Sequence, residues 1–163
     1  MGLTMTDDEQ RVLTPDVARR SLRVVYWSLF ASLPVYALVV LVLPTPEGWD
    51  PAVHTDWTAV AIFAGLALIA GAAIPYLRRR MFFKPLEEGE IERRSEQYLL
   101  ELRTTSAATW ALATSISILG LLAYLAIYQF WMFALFFIPS AALFIVFRPP
   151  DDLIDEMQRP PGA

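Results

Sequence analysis

At 163 residues, 56% of them hydrophobic, with a formal net charge of −4, the chain is more apolar than an ordinary soluble domain, in which about 45–50% of residues are apolar. The absence of cysteine excludes disulfides, thiolate metal sites and cysteine nucleophiles, and the single histidine, His54, removes most imidazole chemistry. The acidic balance leaves no electrostatic footprint for nucleic acid.

The chain opens on a polar lead that contains Asp7, Asp8, Glu9 and Asp16. A cleavable signal peptide has a short basic lead, so the first apolar span is expected to be a retained anchor. Thr14-Pro15-Asp16 reads as a helix start, with Thr14 as cap and Pro15 at the first helical position. No breaker follows before Pro34, so this helix should run directly into the first span, Val24–Leu43. A bilayer core of about 30 Å needs roughly 20 apolar residues in a helix, and this span carries no charge. The next segment, LPTPEGWDPAVHTDW, has three prolines and no period, and is expected to be a loop. Glu47, Asp50, His54 and Asp56 lie close together in it but read as solvated polar groups. No metal or cofactor site is expected.

The second span is Trp57–Leu77. Ala61 and Gly65 are four apart, as are Ala67 and Gly71, a spacing that lets helix backbones approach closely. Pro85 and Gly89 then break the chain. From Glu90 to Ile127 there is no proline and only Gly120, which permits one long helix whose first turns precede the third span, Thr105–Ile127. Ile91, Tyr98, Leu99 and Leu102 share a face of that extension, which would pack on a neighbouring helix, lie on the membrane or dock a partner. In the third span Ser106, Trp110, Ala113, Ser117, Gly120 and Tyr124 recur every three or four residues and make one mostly small, hydroxyl-bearing face. Ala61, Gly65, Ala67, Gly71, Ala113, Ser117 and Gly120 are therefore the candidate helix-packing residues. Only Tyr128 and Gln129 separate this span from the fourth, Phe130–Phe147. Pro34 and Pro139 should kink the first and fourth spans. The tail carries Asp151, Asp152 and Asp155. Their spacing resembles the magnesium-pyrophosphate motif of prenyl-transferring enzymes, but those need two facing motifs, so a solvated acidic tail is expected.

All thirteen Lys and Arg lie before the first span, between the second and third, or after the fourth. Positive charge stays cytoplasmic. The expectation is an all-α polytopic membrane protein with four transmembrane helices in two hairpins and both termini cytoplasmic, in the bacterial inner membrane. Its parts are a cytoplasmic N-terminal segment (1–23), a membrane domain (24–147) with a cytoplasmic loop (78–104), and an acidic cytoplasmic tail (148–163). Tyr26, Trp27, Tyr76 and Trp110 would form the inner aromatic belt, and Trp49, Trp57, Tyr128 and Trp131 the outer one.

No Asp, Glu, Lys, Arg or His lies within the four spans. Such groups are costly in lipid and usually mark ion paths or catalysis, so an ion pump, a proton-coupled transporter and an intramembrane hydrolase are disfavoured. The central hairpin resembles the ring-forming c subunit of rotary ATP synthases. The match lies in Thr104-Thr105, Ala111-Leu112-Ala113-Thr114-Ser115, Ile118 and Gly120-Leu121. Where that family carries its ion-binding glutamate, this chain has Thr114, whose hydroxyl does not ionise. The resemblance therefore implies a packing surface without the ion carrier. The overall pattern also resembles uncharacterised four-helix bacterial inner-membrane proteins. The function expected is that of a non-catalytic accessory, structural or assembly subunit, whose partners are membrane lipids and either another membrane protein or a second copy. A small passive transporter or channel is the alternative, and a lipid-acting enzyme ranks below both.

Overall fold

The computed structural model describes residues 14–50, 57–83, 87, 89, 95–152 and 154. Among them the chain forms four α-helices: α1 (Pro15–Val42), α2 (Trp57–Arg78), α3 (Glu96–Ile127) and α4 (Phe130–Val146). One wider turn of π-helix, Arg79–Phe83, continues α2. The first three helices are long and apolar enough to cross a membrane. The fourth has 17 residues, or about 25 Å at 1.5 Å per residue, and lies at the lower limit for a span.

Local chemistry sets the boundaries. Pro15 occupies the first turn of α1, and the Thr14 hydroxyl accepts a hydrogen bond from the Val17 N–H at 3.4 Å. The start of α3 is set by Ser95, whose hydroxyl accepts from the Tyr98 N–H at 3.1 Å. This helix thus begins at Glu96, after the extended Ser95, and Glu90 and Ile91 lie outside the described residues. It ends on Tyr128, a non-glycine residue in the left-handed region (φ 54°). That conformation reverses the chain within the two residues Tyr128 and Gln129. Pro34 and Pro139 interrupt neither helix: α1 and α4 run through them. Pro75 lies inside α2 as well, one turn before the π-helical turn. Its missing N–H removes one backbone donor from the ladder.

The bundle is organised around α3, which packs against α1, α2 and α4. Half of its apolar window is buried, against 17% for α1 and 6% for α2. Interhelical bonds sort the bundle into two ends. At one end Arg23 pairs with Asp151 at 3.1 Å and the Tyr26 hydroxyl donates to the Phe144 carbonyl. The start of α1 and the end of α4 therefore lie together. At the other end the Tyr124 hydroxyl donates to the Val40 and Leu43 carbonyls, and the Trp49 indole N–H to the Ile127 carbonyl.

Polarity is distributed the opposite way from a water-soluble bundle. Leu41, Leu68, Ile69, Ile138 and Ile145 are each 65% or more exposed, while Thr105, Ser106, Thr109, Thr114, Ser117 and Ser140 are each 6% or less. Water would not tolerate that exterior, and hydrocarbon selects it.

Candidate functional site: helix faces and helix ends

The small residues of α3 point into the bundle. Ala113 and Ser117 are fully buried. At Gly120 a Cβ would stand 2.6 Å from the Phe136 Cβ and 3.3 Å from the Phe133 carbonyl oxygen. Only glycine allows α4 to lie this close. One turn away the Ser140 hydroxyl donates to the Ala113 carbonyl at 2.6 Å and joins the same two helices. These three positions form one seam within the chain.

The α2 residues separate. Ala67, with Ala64 and Ala70, packs against the cluster of Ile116, Ala123 and Phe136. Ala61 is exposed, and a Cβ placed at Gly65 or Gly71 would meet nothing within 4 Å. The small residues at 61, 65 and 71 are thus not needed for any close approach among the described residues.

The hydroxyls of α3 bond mostly within that helix. Thr109 donates to the Thr105 carbonyl at 2.8 Å, Thr114 to Trp110 at 2.9 Å and Ser115 to Leu112 at 2.7 Å. Thr114, the position matching the c-subunit carboxylate, is buried. The hydroxyls of Thr105 and Ser117 are buried with no partner among the described residues.

Residues assigned to the outer polar groups and the tail are divided. Glu47 and Asp50 are exposed, whereas His54, Asp56 and Asp155 lie outside the described residues. The tail is not wholly solvated. Asp151 pairs with Arg23, and Ile154 is 1% exposed in the cluster of Leu22, Tyr26, Tyr98 and Leu102. The face of Tyr98, Leu99 and Leu102 is likewise buried within the chain.

The aromatic belts need one correction. Trp27 and Tyr76 at one end, and Trp57 and Trp131 at the other, are exposed. Trp110 and Tyr26 are buried, at 1% and 7% exposure. They serve a helix end: the Trp110 indole N–H donates to the Phe147 carbonyl at 2.6 Å, and Tyr26 donates to Phe144 at 3.2 Å. A helix leaves its last four carbonyls without backbone donors, and lipid offers no substitute. Tyr26 and Trp110 serve α4, Tyr124 serves α1 and Trp49 serves α3. The sequence signal was available, since all four are aromatic residues with a polar tip near a span end. That pattern also fits a lipid belt, and only the helix rotation separates the two roles.

No family model matches this chain, and no curated protein or solved structure matches it.

Proposed function

We propose that the chain is a non-catalytic integral membrane protein that acts as an accessory, structural or assembly subunit of a membrane complex. It would lie in a bacterial inner membrane with both termini in the cytoplasm. The observation that carries this reading is the position of α2. It rests on α3 along one side, with 6% of its apolar window buried, and a side chain added at Gly65 would meet open space. A transmembrane helix with exposed small residues is suited to close approach by another helix. The orientation is supported by charge: Arg19, Arg20, Arg23, Arg78, Arg79, Arg80, Arg103 and Arg148 lie toward the end where Arg23 meets Asp151, and the opposite loop carries Glu47 and Asp50.

A passive transporter or channel has less support. The α3 hydroxyls that would line its path face the packed interior, and three of them are bonded to carbonyls of their own helix. The test is purification from native membranes in mild detergent. The accessory reading expects a defined foreign subunit that is lost from Gly65→Leu, while recovery of the chain alone counts against it.

A further inference from the structure

An open groove of about 730 Å³ lies between α2 and α4, over Ile116 of α3. Its walls are apolar: Ala64, Gly71 and Ala72 on one side, Leu135, Leu143 and Val146 on the other. Toward the end where the arginines lie there is a second hollow of about 390 Å³, lined by Pro75, Arg78, Arg79, Phe83, Glu87 and Phe147. Gly71 and Pro75 are one turn apart on α2, and Val146 and Phe147 are adjacent, so the two hollows follow one another along the same two helices.

Its dimensions select among occupants. From Ala64 to Arg78 is fourteen residues, about 21 Å along the helix axis. Half of a bilayer, headgroup region included, is about 20–22 Å. The groove therefore runs from mid-membrane to one interface, the depth of a single leaflet. A transmembrane partner helix would need a contact surface across both leaflets, whereas a phospholipid needs only one.

Charge selects the headgroup. The Arg78 guanidinium stands 4.7 Å from the centre of the Phe147 ring and 6.0 Å from that of Phe83. The rings hold it at the mouth of the groove by cation–π attraction. Arg79 lines the same hollow, and among the described residues Glu87 is the one acidic side chain lining it. Arg80 is directed elsewhere, donating to the Tyr76 hydroxyl at 2.8 Å. A planar guanidinium at an interface matches a phosphate diester, and basic pockets between transmembrane helices suit anionic headgroups. We infer that this groove binds one anionic phospholipid of the leaflet at the arginine end, with an acyl chain between α2 and α4 and its phosphate on Arg78 and Arg79. The inference rests on the membrane reading above but not on any protein partner.

The open space at Gly71 supplies the test, because a Cβ added there meets no atom within 4 Å and a longer side chain would extend into the groove. Purified protein would be titrated in detergent with phosphatidylglycerol or with phosphatidylcholine of the same chains, and the adducts counted by intact mass spectrometry. The expected result is one retained phosphatidylglycerol, preferred about fivefold over phosphatidylcholine, from two arginines opposed by one glutamate. Gly71→Leu should lose the adduct. Arg78→Gln with Arg79→Gln should lose the preference. Gly65→Leu, whose residue does not line the groove, should keep both and report that added bulk on α2 leaves the fold intact. Equal binding of phosphatidylcholine by the wild type, or retention of the preferred adduct by Gly71→Leu or by the arginine variant, overturns the inference. Loss of a co-purified subunit from Gly65→Leu with the adduct intact keeps the two readings distinct.

Discussion

Gly120 and Gly65 look alike in the sequence, each a glycine in an apolar helix, yet the packing around them differs. At Gly120 the clashing atom is the Phe136 Cβ, which is fixed to the α4 backbone and cannot rotate away. Gly120→Ala should push α3 and α4 apart and destabilise the protein by about 1–3 kcal/mol. Gly65→Ala should be neutral, or stabilise by up to about 1 kcal/mol through helix propensity. Unfolding midpoints in a denaturing-detergent titration of the two variants decide this, and equal midpoints would contradict the packing described. Trp110 offers a second residue-scale test. Trp110→Phe keeps most of the apolar volume but removes the donor to the Phe147 carbonyl. The expected loss is about 1–2 kcal/mol by the same titration, within the range of hydrogen bonds measured in membranes. What could be read beforehand at this scale was residue type and spacing: Ala113, Ser117 and Gly120 stood out as a packing face. Whether a face meets another helix or lipid depends on helix rotation. For that reason Gly65 and Gly71, which carry the same spacing signal, lie against open space.

Helices were the most legible feature of the chain, because each long apolar block must satisfy its own backbone hydrogen bonds in lipid. The Thr14-Pro15 start and the Tyr128–Gln129 turn also follow from local chemistry that the sequence displays. The start of α3 was less legible. Lack of a breaker permits a helix but does not begin one, and the Ser95 cap decides the point. Ser95→Ala should cost about 1 kcal/mol. Because Tyr98, Leu99 and Leu102 of the first two turns are buried, the change should also raise amide exchange there before it affects the rest of α3. Unchanged exchange at these amides would mean that tertiary packing alone holds the start of the helix. The π-helical turn was not legible. Pro75 was visible, but a proline near a span end signals termination as readily as a wider turn.

For the whole molecule, charge placement and the inverted polarity give one coherent arrangement, with the start of α1 beside the end of α4 and α3 at the centre. The side of the membrane each end faces can be tested directly because the chain has no native cysteine. Glu47 and Glu87 are exposed at opposite ends. In intact cells an impermeant maleimide should label Glu47→Cys readily, and Glu87→Cys only after the membrane is opened. The reverse pattern would invert the proposed topology. The Arg23–Asp151 pair contributes little to the arrangement, since both side chains are more than a third exposed and such pairs contribute between about 0 and 1 kcal/mol. Apolar packing of Ile154, in the cluster of Leu22, Tyr26, Tyr98 and Leu102, contributes more.

The central place of α3 also bears on the order of events during synthesis. Domains emerge from their N-termini as the chain is made, so α1 and α2 enter the membrane first. Among the described residues these two helices meet each other hardly at all, and each finds its main neighbour in α3. The nascent protein must therefore hold two unassociated helices in lipid until the third arrives. Until then the carbonyls at the end of α1 also wait for the Tyr124 hydroxyl. Assembly is delayed and then concerted. A chain stopped after Phe83 should leave two tethered but unpacked helices, exposed to membrane quality control, and not half of a bundle.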